Sequence, residues 1–525
     1  MFGFLGASLY LCRMFVRRKV NKTGSISVHV VDKARGRYRV IKVFGPVESE
    51  QEVARLERQA RTYIREAGGG VDLFPDEADG SIEDFLSSVS NTQVQVAGPE
   101  LIFGRLYDRI GYGEIEEEMF RHLVICRLFN PGSKLRTVDY LRRYLGVSCE
   151  VGRIYRFLDR LCAKGTDGAE GIKHQVEDIS FRHTREVVGG SIKVAFYDMT
   201  TLYFEAAEED SLRIPGFNKD GKHSCPQIFL GLLVAAQGNP IGYEIYEGNI
   251  FEGHTLIPMI EGLAARHGFS HPVVVADAGL LSKKNIQALE EQNYQYILGA
   301  RPKNESDSIK DRIIALDLKN GDVKVLDKGG NRRLVVSKTE RREHKDAANR
   351  KRGLERLRKR MGAGRLTKAN INNRGYNKYL KMEGDVTISI DMEKYEADAV
   401  WDGIKAYVTN TDLTAEEVIS SYGNLWYIER AFRMNKTDLQ IRPIYHRLRN
   451  RIEGHICICF TAYTILLEME RILKEKGSKL TLDRVREAVK TMYRLNFTLP
   501  GSGQQSSVLL KMDDEQQEIY DLLYS

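Results

Sequence analysis

Residues 191–300 constrain the fold most, because short apolar runs typical of strands alternate there with amphipathic runs typical of helices. SIKVAFYDMTTLYF, IFLGLLVAAQG and PIGYEIYEGN predict three strands, and HPVVVADAG and YQYILGARP predict two more. HTLIPMIEGLAARHG and KKNIQALEEQN predict the helices between them. Strands followed by alternating helices and strands indicate an α/β fold with a mixed sheet. WDGIKAYVTNT at 401–411 predicts that this sheet resumes there.

Two of these strands are expected to deliver a carboxylate at their ends, Asp198 and Asp277. A third carboxylate, Glu429, lies within Ser421 to His446, whose apolar spacing predicts one helix that Pro443 ends. Ligands of α/β proteins bind at strand ends. Converging carboxylates repel one another, and Mg²⁺, which prefers oxygen ligands, removes that repulsion. We therefore expect these residues to bind Mg²⁺, with Mn²⁺ as a substitute.

The same predicted helix carries a polar face. Tyr422, Glu429 and Lys436 are spaced seven residues apart, which returns each to within about 20° of the last. Arg433, four residues after Glu429, joins that face. A phenol, a carboxylate and two cations could bind a metal and the phosphates around it. The alternative is a solvated helix face with an ordinary Glu–Arg pair, and each aspartate alone could be a turn or cap residue.

In combination these motifs resemble the DDE transposases of bacterial insertion sequences. The order of strand and Asp, strand and Asp, long insertion, then helix and Glu is theirs, and YDMTT and ADAGLLS are similar to the first and second acidic motifs of the IS-four group. The helix resembles that group's signature of Tyr, Arg, Glu and Lys. LQIRPIYHRLRNRIEGHICICF and FVRRKVNKTGSISVHVVDKARGRYRVIKVFG resemble the branch named for element sixteen thirty-four.

The resemblance implies an RNase H-like core in which Asp198, Asp277 and Glu429 are both the catalytic triad and the Mg²⁺ ligands. It implies that two ions about 3.5–4 Å apart support hydrolysis of a phosphodiester at the element's end. The freed 3′-hydroxyl then attacks target DNA. The implied partner is double-stranded DNA, both the terminal inverted repeats and the target, bound by a homodimer in a synaptic complex.

The resemblance also implies DNA contacts on the helix face, with one departure from the signature. Tyr422 and Lys436 are expected to contact phosphates near the cleaved end. The signature arginine is replaced by Leu425, which cannot bind phosphate. Arg430 or Arg433 could compensate, and only Arg433 is expected near the active face.

Charge and cysteine content narrow the class of protein further. The chain has 525 residues, a net charge of +7 and seven cysteines without a CxxC pair, which disfavours a disulfide framework or a zinc ribbon. From Arg332 to Lys368 there are 15 Lys or Arg against 4 Asp or Glu, which predicts either a solvated charged helix or an insertion that faces DNA. The sequence contains no run of about 18 apolar residues, so we expect no membrane-spanning helix. We expect a cytoplasmic, nucleoid-associated bacterial protein.

The sequence predicts a core with flanking helical and β segments, divided into six parts. SISVHVVD and RYRVIKVFG predict a basic N-terminal β-hairpin, and Met14 is a candidate translation start. The helices of the second part could form a helix-turn-helix reader or a plain bundle. The parts are 1–96 (β unit, helix and linker), 97–190 (helical, DNA-end-binding), 191–300 (RNase H-like core, first part), 301–400 (basic, β-rich insertion), 401–446 (core, second part) and 447–525 (helical).

Three other functions compete with a transposase. A haloacid-dehalogenase type of hydrolase also uses an Asp after a strand, but the second Asp expected two residues later is Thr200. A catalytically inactive relative could bind DNA ends without cutting them. An RNase H-like nuclease could cut without joining.

Overall fold

The computed structural model describes residues 14–34, 37–68, 85–86, 89–163, 171–204, 208–216, 225–268, 271–367, 370–372, 375–383, 387–499 and 504–524. The chain divides into two compact units, Met1–Val94 with Asn496–Ser507 and Gln95–Leu495 with Val508–Ser525. The apolar segment before Met14 and most of the predicted linker at 67–96 lie outside the described residues.

The described residues form the following helices and strands, numbered in chain order. The helices are α1 (Glu50–Gly68), α2 (Arg105–Ile110), α3 (Glu118–Phe129), α4 (Lys134–Leu145), α5 (Val151–Leu161), α6 (Ile172–Val187), α7 (Leu256–His267), α8 (Lys283–Glu291), α9 (Asp307–Ala315), α10 (Glu340–Gly362), α11 (Met392–Ala397), α12 (Ala415–Gly423), α13 (Trp426–Thr437), α14 (Arg449–Glu475), α15 (Leu482–Ala488) and α16 (Asp514–Tyr524). The strands are β1 (Met14–Val20), β2 (Ile26–Ala34), β3 (Arg37–Val47), β4 (Val94–Val96), β5 (Val194–Tyr203), β6 (Ile214–Pro215), β7 (Pro226–Val234), β8 (Pro240–Glu247), β9 (Val273–Ala276), β10 (Tyr296–Ala300), β11 (Val323–Gly329), β12 (Arg332–Lys338), β13 (Leu380–Glu383), β14 (Thr387–Ile390), β15 (Ile404–Thr409), β16 (Tyr493–Thr498) and β17 (Gln505–Leu509).

The first unit contains a three-stranded antiparallel sheet, β1-β2-β3, on which α1 packs. Val28 and Val30 of the sheet and Val53 of the helix are fully buried in its core. The predicted two-stranded hairpin was therefore incomplete. MFVRRKV forms a third strand, because Met14 and Val16 pack against the same core while Phe15 and the basic residues after Val16 face outward.

The second unit is organised around a mixed nine-stranded sheet of order β11-β12-β15-β10-β9-β5-β7-β6, with β8 also paired to β7. β5, β9 and β10 are mutually parallel neighbours, whereas β7 is antiparallel to both β5 and β8. Five of these strands lie side by side in the order β8-β7-β5-β9-β10. Numbered by their order along the chain, they stand in the order 3-2-1-4-5. This is the RNase H-like topology, and the predicted mixed α/β sheet is confirmed.

Each face of the sheet has its own apolar core, because successive strand residues point to opposite faces. Tyr197 of β5 and Ala276 of β9 belong to the core shared with α7 and α8. Phe196 of β5 and Val275 of β9 belong to the core shared with α13 and α14. Asp198 and Asp277 follow Tyr197 and Ala276, so both lie on the α13 side of the sheet.

The long helix α14 lies at the centre of the apolar core that the helices share. Nineteen of its 27 residues are buried, including Ile456, Phe460 and Ile465. Each fully buried aliphatic side chain contributes about 1.5–3 kcal/mol. The surrounding helices α3, α5 and α6 pack on α14 in one core, so the helices of 97–190 and α14 do not form separate cores.

Four further details differ from the sequence-based predictions. β5 continues five residues past Asp198, because Thr200 to Tyr203 keep pairing with β7. The single helix predicted from Ser421 to Pro443 is divided into α12 and α13, and α13 ends at Thr437, before Pro443. The predicted helical C-terminal region also contains β16 and β17. The fourth difference concerns the insertion.

The insertion at 301–400 is not a separate β-rich domain. β11 and β12 extend the main sheet beside β15, because Leu334 and Val336 pack into the core below it. Most of the basic run forms the helix α10, which buries Gly353, Leu354 and Leu357. The hairpin β13-β14 stands outside the main sheet. None of the described helices has the length and the apolar run needed to cross a membrane.

Candidate active site

The two aspartates lie at the same level on neighbouring parallel strands. Tyr197 of β5 is registered with Ala276 of β9, so the residues that follow, Asp198 and Asp277, are level. The register of β9 with β10 and of β10 with β15 extends this level to Gly299 and Tyr407. We call these four residues the aspartate row. The strand pairing therefore brings together two residues that are 79 positions apart in the sequence.

Backbone hydrogen bonds fix both carboxylates. The backbone N–H of Met199 donates to Asp198 Oδ1 at 2.7 Å, and that of Ala278 donates to Asp277 Oδ1 at 2.6 Å. Asp277 is exposed and Asp198 is half-buried. Both side chains thus have defined positions at the edge of the core on the α13 side.

Tyr422 links the helix α12 to the row. Its hydroxyl donates to Asp277 Oδ1 at 3.0 Å, and its ring packs on the ring of Tyr407 with centroids 4.7 Å apart. Burial raises the pKa of the Tyr422 phenol, and the negative charges of Asp277 and Asp198 raise it further. The phenol is therefore protonated at neutral pH and serves as a hydrogen-bond donor to the carboxylate.

Gly299 makes room for Tyr422. A Cβ built on Gly299 would lie 3.0 Å from Tyr422 Cζ and 3.0 Å from the backbone nitrogen of Ala278, and closer still to the Tyr422 hydroxyl. Real Cβ atoms are rarely that close to a neighbour, so only glycine lets the phenol lie across β10 and reach Asp277.

The helix α13 continues the polar face past the row. Lys436 Nζ hydrogen-bonds to the hydroxyl of Thr200, which is two residues after Asp198 and faces the same side of β5. Tyr427 contacts the ring of Phe196 at 6.1 Å between centroids. Glu429 is seven residues, about 10 Å of helix, from both Tyr422 and Lys436. The break at Asn424 and Leu425 keeps helical backbone angles, so the predicted face survives it.

The structure brings only part of the predicted triad together. Asp198 and Asp277 are neighbours. Within the described ranges, however, no three histidine, cysteine, aspartate or glutamate side chains lie close enough together to hold one metal ion. Glu429 is exposed on α13 and is not gathered with the two aspartates. The donor set itself fits Mg²⁺, because level carboxylates at a sheet edge supply the oxygen ligands that this ion prefers.

The arginines near Glu429 differ in their surroundings. Arg430 is paired with Glu470 of α14, so its guanidinium is already occupied by a carboxylate. Arg433 is exposed on α13. Leu425, at the position of the signature arginine, is only 9% exposed and belongs to the apolar core. Of the two arginines considered as replacements, Arg433 is the one open to solvent.

Two members of the row, Gly299 and Tyr407, were not identified from the sequence. Neither has a local signal, since Gly299 sits within an ordinary apolar strand and Tyr407 within another. Their role follows from strand pairing across 108 residues, which no single run of sequence displays.

An RNase H-like sheet with two level aspartates at its centre and a carboxylate-bearing helix above them is the arrangement of the DDE class of enzymes that act on DNA. Residues 190–465 match the model of the family "Transposase DDE domain". This match spans more than half of the chain, and the chain belongs to this family. It is a DDE transposase.

Solved structures show weaker likenesses. One described as a piggyBac transposase synaptic complex with hairpin DNA is 12% identical, with a TM-score of 0.38, and the likeness covers 75% of this chain and 76% of that one. A Mos1 transposase paired-end complex with the left transposon end is 10% identical, with a TM-score of 0.15, over 34% of this chain and 58% of that one. A Mos1 mariner paired end complex with Mn is 10% identical, with a TM-score of 0.14, over 46% and 71%. No curated protein matches the chain. The family assignment rests on residues 190–465 alone.

Proposed function

We propose that this transposase serves a bacterial insertion sequence of the IS-four group, in the branch of element sixteen thirty-four. In this proposal it binds the terminal inverted repeats, cleaves the element's ends and joins the 3′-hydroxyls to target DNA. The main observation behind the proposal is that Asp198 and Asp277 lie level on neighbouring strands. Tyr422 and Lys436 of the adjacent helices hydrogen-bond to Asp277 and Thr200 beside them. Assembly as a homodimer on paired ends belongs to the same proposal.

In this mechanism Asp198, Asp277 and Glu429 hold Mg²⁺, or Mn²⁺ in its place. The bound ions would lower the pKa of the attacking hydroxyl and stabilise the leaving oxygen of the phosphodiester. Glu429 is the part of this set that must move, because its exposed side chain is not yet gathered with the aspartates. We propose that it joins them when ions and DNA are bound.

The other residues of the face would orient the carboxylates and the DNA. Tyr422 holds Asp277 through its hydroxyl and fixes the orientation of that carboxylate. Lys436 places a cation two residues from Asp198 along β5, where it can balance the charge of a phosphate. Arg433, exposed on the same helix, is proposed to contact the strand beside the cleaved bond.

A cleavage assay tests the proposal. A labelled duplex that carries the element's end is incubated with the protein in Mg²⁺ or in EDTA, and the wild type is compared with Glu429→Gln. Glu416→Gln, which neutralises an exposed carboxylate in the first turn of α12, is the matched control. We expect Mg²⁺-dependent nicking at the end and joined products from the wild type and the control, and neither from Glu429→Gln, which still binds.

Each of the other outcomes would indicate a different function or a different catalytic site. Binding without cleavage by the wild type in every condition would indicate a protein that only binds DNA. Cleavage without joined products would indicate a nuclease. Cleavage that persists in Glu429→Gln would remove this residue from the site.

A further inference from the structure

A polar cavity lies among the helices, and none of the residues of the aspartate row lines it. Its volume is about 770 Å³, and its walls come from the end of α3, the start of α4, the segment before α14 and the first turns of α14. Among the described residues that line it, none is an aspartate or glutamate. The lining cations are Arg127, Lys134, Arg136, Arg442, Arg447 and Arg451.

Two of these cations are buried and have no acidic partner among the described residues. Lys134 and Arg127 are each only 7% exposed. The Lys134 ammonium has no hydrogen-bond partner in the described parts of the chain, whereas Arg127 donates to the carbonyl of Leu439 and to His455, both at 3.4 Å. Burial and the charge of Arg127 lower the pKa of Lys134 to about 7. Two adjacent buried cations without a counter-charge are costly, unless an anion occupies the space between them.

The start of α4 adds a third source of positive potential. Ser133 caps this twelve-residue helix by accepting a hydrogen bond from the backbone N–H of Arg136 at 3.2 Å. Ser133, Lys134 and Gly132 all line the cavity. The positive end of the helix dipole therefore points at the cavity, as it does in many phosphate sites.

The histidines of the cavity do not supply the missing charge. The Nε2–H of His455 donates to the carbonyl of Ile441 at 3.0 Å, which leaves Nδ1 to accept from Arg127. Burial, followed by the nearby cations, lowers the pKa of His455 well below its usual value and that of His446 to about 3. Both rings are neutral at pH 7, so they shape the cavity and position Arg127.

We infer that this cavity is a phosphate-binding site, and that it takes a backbone phosphodiester of the DNA on which the transposase acts. Lys134 and Arg127 provide the buried charge, and the start of α4 provides the backbone donors. The identity of the anion as DNA rests on the proposed function, whereas the affinity for phosphate does not.

The cavity wall reaches the main sheet, because the guanidinium of Arg442 lies over the ring of Tyr203 of β5 at 5.4 Å from the ring centroid.

The experiment uses the full chain in EDTA, so that no cleavage is needed. Inorganic phosphate is titrated while the melting temperature is followed. In a second arm, binding of a random-sequence duplex is measured over a range of salt concentrations. The test variant is Lys134→Met, which keeps the volume and removes the charge. The control is Lys476→Met, which removes an exposed positive charge at the far end of α14.

We expect inorganic phosphate to raise the melting temperature of the wild type and of Lys476→Met, with no such rise in Lys134→Met. Without phosphate, Lys134→Met should melt no lower than the wild type, because a buried unpaired cation has been removed. The magnitude of the DNA salt slope should fall by about 1 in Lys134→Met relative to Lys476→Met.

Three results would overturn the inference. An unchanged phosphate response in Lys134→Met would show that the anion binds elsewhere. No response in the wild type would show that the cavity does not bind phosphate. A lost phosphate response with an unchanged DNA salt slope would assign the cavity to a free phosphate and not to DNA, and would leave the proposed transposition chemistry intact.

Discussion

Replacing Gly299 by alanine should push Tyr422 away from Asp277. The new Cβ would lie 3.0 Å from both Tyr422 Cζ and the Ala278 backbone nitrogen, and nearer to the phenol oxygen. The backbone cannot retreat, because β10 is paired on both sides, so the ring must move. Overpacking of this kind costs about 1–3 kcal/mol. The lost hydrogen bond to the exposed Asp277 adds about 1 kcal/mol.

The assay is a double-mutant cycle by urea denaturation, with Gly299→Ala, Tyr422→Phe and the double variant. Tyr422→Phe removes the atom that the new methyl meets first, so Gly299→Ala should cost about 1 kcal/mol less in the Phe background. Gly423→Ala is the control, because its Cβ would meet nothing within 4 Å. Equal costs in the two backgrounds, or no cost in the wild type, would refute the role assigned to Gly299.

Three further predictions follow from single side chains. Lys436→Met should reduce DNA cleavage strongly and lower the magnitude of the salt slope of DNA binding by about 1, measured by gel shift, and an unaltered slope would contradict a phosphate contact. Burial raises the pKa of Glu468, but hydrogen bonds from Arg471 and His183 outweigh the burial and lower the pKa to about 2. The ionised Glu468 therefore contributes its full stabilisation above the ordinary pKa of 4.5. This contribution is lost as the pH falls from 4.5 toward 2. Glu468→Gln should therefore flatten the loss of stability with acid over that range in urea titrations, and a profile like that of the wild type would count against it. Leu425→Arg, which restores the signature residue, should destabilise the fold by about 2–4 kcal/mol because Leu425 is buried, and a neutral effect on the melting temperature would show that the site is more open than the packing indicates.

The elements that carry local patterns were predictable from the sequence. The strands of 191–300 and the helices α7 and α8 follow from apolar periodicity, which is a property of neighbouring residues. The shared face of Tyr422, Glu429 and Lys436 also follows from local spacing, and it survives the break at Leu425 because that residue keeps helical angles.

The features that depend on pairing between distant segments were not predictable in this way. β11 and β12 contain the same alternating pattern whether they form a separate domain or extend the main sheet, and only pairing with β15 decides between them. The cavity of the helical region is lined by Lys134 together with Arg442 and Arg451, which are more than 300 residues away in the sequence. Asp198 was predicted at a strand end, but the pairing of Thr200 and Leu202 with β7 continues the strand.

The central claim is that Asp198 and Asp277 form the ion site, with Glu429 joining them on DNA. Iron-directed cleavage tests it most directly. Fe²⁺ replaces Mg²⁺, ascorbate and peroxide are added, and the polypeptide breaks near the ion are mapped by mass spectrometry. The claim predicts breaks beside Asp198 and Asp277, added breaks beside Glu429 when DNA is present, and their loss in Asp198→Asn. Breaks elsewhere, or breaks at these positions that persist in Asp198→Asn, would contradict it.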